Sequence, residues 1–86
     1  MITLHDFQFA SFEKKCDVVT SDSNYLCTRS LGECTVYLYY TDLFFIEVFY
    51  SATHKKVLMI NAFNTAMGLE PYLDMISLAD LHLEGL

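Results

Sequence analysis

Residues 34–51 read CTVYLYYTDLFFIEVFYS, and the period of this stretch decides the fold. From Cys34 to Thr41 the side chains alternate, with Cys34, Val36, Leu38 and Tyr40 on one side and Thr35, Tyr37, Tyr39 and Thr41 on the other. A period of two is that of a β-strand. The period recurs from Phe44 to Ser51, where Phe44, Ile46, Val48 and Tyr50 oppose Phe45, Glu47, Phe49 and Ser51. Asp42 and Leu43 separate the runs, so the two strands read as an antiparallel hairpin closed by a tight turn. Seven of the thirteen aromatic residues fall between Tyr37 and Tyr50, so this hairpin holds most of the stacking surface.

Working outward, Leu31-Gly32-Glu33 reads as a turn, with Gly32 available for positive φ. Tyr25 to Ser30 before it is a short strand. Ala52-Thr53-His54-Lys55 is a polar loop, and Lys56 to Phe63 (KVLMINAF) is the last strand. The first third is helical. Thr3 with Asp6 forms an N-cap pair, and Ser11 is a second N-cap with Glu13 in the following turn. Phe12, Cys16 and Val19 make one helical stripe, and Thr20-Ser21-Asp22-Ser23-Asn24 ends the helix by competing for its backbone hydrogen bonds. Near the C-terminus, Pro71 suits a first helical turn, and Leu69, Leu73 and Ile76 share a stripe. Ser77 with Asp80 repeats the capping pattern, so a second short turn carrying Leu78 and Leu81 is expected.

The order predicts an α+β fold: N-terminal helices, a four-stranded antiparallel β-meander and a C-terminal short helix, in a two-layer sandwich. The helices are expected over Val36, Leu38, Ile46 and Val48. At 86 residues, a single domain spanning 1–86 is expected.

Composition narrows the function classes. Five Lys and Arg face eleven Asp and Glu, a net charge of -6, which disfavours a nucleic-acid partner held by phosphate contacts. Residues 69–86 hold Glu70, Asp74, Asp80 and Glu84 and no Lys or Arg; the plain reading is a solvated helix face. Disorder does not suit a chain with 15% aromatic residues. The longest uncharged run, Val57 to Leu69, is 13 residues against the roughly 20 a membrane helix needs, so no membrane partner is expected. Met1 to Asp6 lacks the charged-then-apolar pattern of a signal peptide. Cys16, Cys27 and Cys34 are odd in number and unpaired in spacing, which points to reduced thiols and a cytoplasmic protein without a zinc site.

LFFIEVFY at 43–50, Ala62-Phe63, and LEPYLDMISLADL at 69–81 together resemble a family of small uncharacterised bacterial proteins. That family has a D-G-F-[FY]-V-E-V-x-[FY] strand and an L-E-P-Y-L-D-x-I-x-L-x-D-L end. The resemblance covers the chain from about Tyr25 onward, and Leu43 stands where the family pattern has Gly. It implies a single α+β domain from a bacterial, intracellular source and transfers no site residues.

The site candidates lie on the hairpin. With the helices over one face, Tyr37, Tyr39, Phe45 and Phe49 are expected together on the other, with Glu47 between the two Phe. An open patch of this kind marks an interface, and a homodimer or an unidentified protein partner would cover it. The alternative is that the N-terminal segment wraps over it. Glu47 in apolar surroundings could act as a general acid or base beside Tyr37 and Tyr39 in a small-ligand binder or enzyme; a strand Glu is more often an edge charge. His5, His54 and His82 have no partner at a motif spacing, and His54 with Lys55 and Lys56 makes a local positive spot. Cys16 and Cys34 read as core side chains, and Cys27 is left undetermined. No Gly-rich phosphate loop, paired-carboxylate motif or nucleophile elbow is present, so no catalytic residue and no cofactor are expected. The aromatic strand shares its stacking residues with RNA-recognition sheets but lacks their flanking basic and Gly residues. The leading expectation is a self-associating interaction module. The net charge keeps a third reading open, an acidic immunity- or antitoxin-like binder of a basic partner.

Overall fold

The computed structural model describes residues 1–76. Two helices come first, α1 (Leu4–Gln8) and α2 (Phe12–Asp22). Four strands follow, β1 (Asn24–Leu31), β2 (Cys34–Tyr40), β3 (Phe45–Ser51) and β4 (Lys56–Phe63). A 3-10 helix, Ala66–Tyr72, closes the described chain. The sheet is an antiparallel meander in the order β1-β2-β3-β4, so the α+β expectation holds.

Local chemistry sets the boundaries. The Thr3 hydroxyl accepts from the Asp6 amide at 3.1 Å and starts α1, and the Ser11 hydroxyl accepts from the Lys14 amide at 3.1 Å and starts α2. Thr20 and Ser23 donate back to the Cys16 and Val19 carbonyls where α2 ends. Gly32 sits at φ +59° between the paired residues Leu31 and Cys34, the first central position of a two-residue hairpin turn. In the β2–β3 connection, the buried Thr41 hydroxyl accepts from the amides of Leu43 and Phe44 and donates to the Phe44 carbonyl. That hydroxyl closes the turn without glycine, which is how Leu43 is accommodated there.

Two helical stripes differ from expectation. In α2 the buried residue is Val18, while Phe12 is 56% exposed. Phe7 of α1 already fills the core against Phe44, with ring centroids 5.2 Å apart, and Phe12 lies outside that cluster. Near the C-terminus the chain adopts the tighter 3-10 period, which brings Leu69 and Tyr72, three apart, to one side. Leu73, expected on the stripe at α-helical spacing, is exposed. The expected turn at Ser77, Leu78, Asp80 and Leu81, and His82 and Glu84 with it, lie outside the described residues.

The larger correction concerns the sheet faces. β2 pairs with β3 as Tyr39 with Ile46, Leu38 with Glu47, Tyr37 with Val48 and Val36 with Phe49. Residues directly opposite share a face. Tyr37 and Tyr39 therefore lie with Ile46 and Val48, and Phe45, Glu47 and Phe49 lie with Val36 and Leu38. The physical reason is parity: a connection of even length pairs even-numbered positions with odd-numbered ones. The helices consequently do not cover Val36 and Leu38 together with Ile46 and Val48. α1 and α2 pack Phe7 and Val18 onto Phe44, Ile46 and Ala62, with Tyr39 and Val48 beside them. The 3-10 segment packs Leu69 and Tyr72 onto Leu38 and Phe45 on the other face. Each face thus has its own core cluster.

Candidate functional site

Glu47 is the one acid in β3, and the structure places it in a polar cluster with Arg29, Asn61 and Tyr72. It is 6% exposed. The Tyr72 hydroxyl donates to Glu47 Oε2 at 2.5 Å, and Asn61 Nδ2 donates to Oε1 at 2.9 Å. Arg29 Nη2 lies 3.5 Å from Oε2, and the Arg29 guanidinium carbon sits 5.1 Å from the centroid of the Tyr72 ring. Register explains two of these partners. Asn61 is directly opposite Glu47 across β3–β4, and Arg29 on β1 pairs with Val36, one position along the same face from Leu38, the partner of Glu47. Tyr72 arrives from the 3-10 segment.

These contacts set the chemistry. A buried carboxylate is costly unless donors surround it, and here three side chains do. Burial first, then the hydrogen bond to Glu47, pushes the Tyr72 hydroxyl well above the usual tyrosine range. The cluster is a tie between the sheet and the 3-10 segment. The proposed acid–base arrangement does not form, because Tyr37 and Tyr39 lie on the opposite face from Glu47.

The interface candidates separate in the same way. Phe45 is fully buried under the 3-10 segment and stacks on Phe63, with centroids 5.4 Å apart. Phe49 is half-buried beside Val36 and Met59 in the ladder. Tyr37 and Tyr39 are half-buried on the α-helical side, and Tyr39 meets Tyr25 edge-on at 5.8 Å. Burial, with Tyr25 and Tyr37 nearby, raises the Tyr39 hydroxyl. No single aromatic face exists.

Of the remaining candidates, His5 packs on Phe9 with centroids 4.8 Å apart, and His54 is exposed in the β3–β4 loop. Cys16, Cys27 and Cys34 are half-buried and free. Cys27 packs against the second core cluster, where burial raises its thiol. Among the described residues, no three His, Cys, Asp or Glu side chains gather as a metal site, and no helix is long and apolar enough to cross a membrane.

Two concavities are found elsewhere. One of about 420 Å³ lies between α2 and the β2–β3 turn, lined by Ile2, Lys14, Val18, Asp22, Asn24 and Asp42 among others. A smaller one of about 140 Å³ lies where α1 and α2 meet β4, lined by Phe7, Gln8, Lys15, Ile60, Asn61 and Ala62. Neither includes Glu47.

Sequence reasoning found Glu47 but missed its partners. Asn61 becomes visible once the β3–β4 register is set, because Glu47 and Asn61 then face each other. Arg29 and Tyr72 carry no local signal. No family model, curated protein or solved structure matches the chain.

Proposed function

We propose that the protein is a small interaction module that associates with a second copy of itself. The observation that supports this is the apolar surface left after both faces of the sheet are packed. Phe9 is 79% exposed and Met67 77%, and Leu58 and Met59, adjacent on β4, are about half exposed. Large apolar side chains held in solvent mark contact sites when they are grouped. Leu58 and Met59 are neighbours in sequence, and Phe9 directly follows Gln8, whose side chain bonds to β4 at Ala62. The odd set of three free thiols supports a cytoplasmic setting, and the resemblance to small bacterial proteins supports a bacterial source.

Sedimentation equilibrium at micromolar concentration tests this reading. A dimer of the 86-residue chain is expected. A monomer throughout that range overturns it. A second reading follows from the net charge of -6, an acidic binder of a basic protein partner. Association of that kind weakens steeply with added salt, whereas the self-association proposed here is mainly apolar and weakens little.

A further inference from the structure

The larger cavity, of about 420 Å³, has the size that takes a small molecule, and its walls change along its length. Lys14, Val18 and Asp22 recur at intervals of four and so stand on one side of α2. All three line the cavity, which therefore runs along the helix for two turns. The backbones of Lys14 and Asp22 are about 12 Å apart along the axis. Between them lies an apolar floor, made by the buried Val18 and the half-buried Ile2.

The Asp22 end carries two acids. Asn24 pairs with Tyr40 at the first rung of the β1–β2 ladder. Continued by two residues, that antiparallel register sets Asp22 opposite Asp42, and both line the cavity beside Asn24. This is also the C-terminal end of α2, where the helix dipole is negative and favours a basic residue. The last turn of α2 has none. Lys14 stands in the first turn, where the dipole favours an acid. Both end charges are thus set against the helix. Among the described residues, no salt bridge joins Lys14, Asp22 or Asp42 to another group. Helix stability does not account for this arrangement, and departures of that kind fall at functional sites.

We propose that this cavity binds a small zwitterion whose amine and carboxylate are separated by an apolar chain, an ω-amino carboxylate. The ammonium lies at the end walled by Asp22 and Asp42, with the Asn24 amide oxygen as a further acceptor. The chain runs over Val18 and Ile2, and the carboxylate meets Lys14. An α-amino acid carries both charges on one carbon and does not reach both ends. A simple amine satisfies the acidic end and leaves Lys14 unpaired. The site is separate from the self-association reading, which rests on apolar side chains at Phe9, Leu58, Met59 and Met67.

The test titrates ε-aminocaproate into isotope-labelled protein and follows the backbone amides by NMR. Norleucine, its isomer with both charges on one carbon, is the control. Saturable shifts in α2 and the β2–β3 turn are expected for ε-aminocaproate, with norleucine weaker by roughly tenfold. Asp22→Asn together with Asp42→Asn is expected to raise the Kd roughly tenfold, the combined effect of two exposed charge contacts. Lys14→Gln is expected to weaken ε-aminocaproate and to leave hexylamine, which has no carboxylate, unweakened. Lys14, Asp22 and Asp42 are exposed, so these variants are expected to fold, which circular dichroism checks. Asp22→Asn alone removes a charge that opposes the helix dipole, so its thermal midpoint is expected to rise while binding falls. A midpoint that falls with binding would make Asp22 a support of the fold and overturn its assignment to the site. No saturable shift with ε-aminocaproate, equal binding of norleucine, or binding untouched by the two Asp substitutions overturns the proposal.

Discussion

The Tyr72 hydroxyl donates to Glu47 Oε2 at 2.5 Å, joining a residue of the 3-10 segment to the middle of β3. Both residues are buried, so neither side of the contact has water to fall back on. Tyr72→Phe keeps the ring over Leu38 and Phe45 and removes only the donor. Leaving a buried acceptor short of a donor costs about 1–3 kcal/mol. The expected result is a lower denaturant midpoint with an unchanged m-value. An unchanged midpoint would show that Asn61 and Arg29 suffice to hold the carboxylate.

The same contact predicts a pH dependence. Burial and Glu47 raise the Tyr72 hydroxyl above its unfolded value of about 10, so above that pH the folded state holds a proton the unfolded state has released. Stability from this group is therefore fully present below about pH 10 and is lost as pH rises toward the folded value. Tyr39, raised mainly by burial, adds in the same direction. Urea midpoints measured from neutral pH upward should be flat with respect to these tyrosines and then fall in the alkaline range. Tyr72→Phe should flatten part of that fall. An equal alkaline loss in the variant would assign the whole effect to other groups.

The β2–β3 turn yields a third prediction. Thr41 is 6% exposed, and its hydroxyl serves the amides of Leu43 and Phe44. Thr41→Val has nearly the same shape and removes those acceptor sites. A loss of about 1–3 kcal/mol is expected, since the Phe44 amide is buried and left without its partner. Thr41→Ser, which restores the hydroxyl, should recover most of the loss by thermal denaturation. A valine variant as stable as wild type would mean that backbone contacts alone close the turn.

Much of this fold was legible because alternation and capping are local. Thr3, Ser11, Gly32 and the four strands all stand where their neighbours in sequence place them. The faces differ from expectation for a reason also local: Val36 and Leu38 would share a face with Ile46 and Val48 only if the connection paired even with even, and it pairs even with odd. The candidate cluster was legible only at Glu47. Its partners Arg29 and Tyr72 lie 18 and 25 residues away, and no periodicity links them. The 3-10 period was equally hidden, because Leu69 and Tyr72 fit a helix of either pitch until packing against Leu38 and Phe45 selects one.

That packing leaves no room at Gly68. A Cβ there would run into Cγ, Cδ2 and Cε2 of Phe63, and Phe63 is itself held by its stack on Phe45. The obstruction reaches Cγ of the ring, so the ring cannot clear it by turning about its own axis. Gly68→Ala must displace either the ring or the whole 3-10 segment. Forcing one extra methyl into a packed site costs about 1–3 kcal/mol. Because Leu69 and Tyr72 follow in the same 3-10 segment, moving it would also lengthen the Tyr72–Glu47 hydrogen bond. The double variant Gly68→Ala with Tyr72→Phe should then lose less stability than the two single variants added together, as neighbours that act through one contact do. Additive losses in that cycle would place the strain on Phe63 alone.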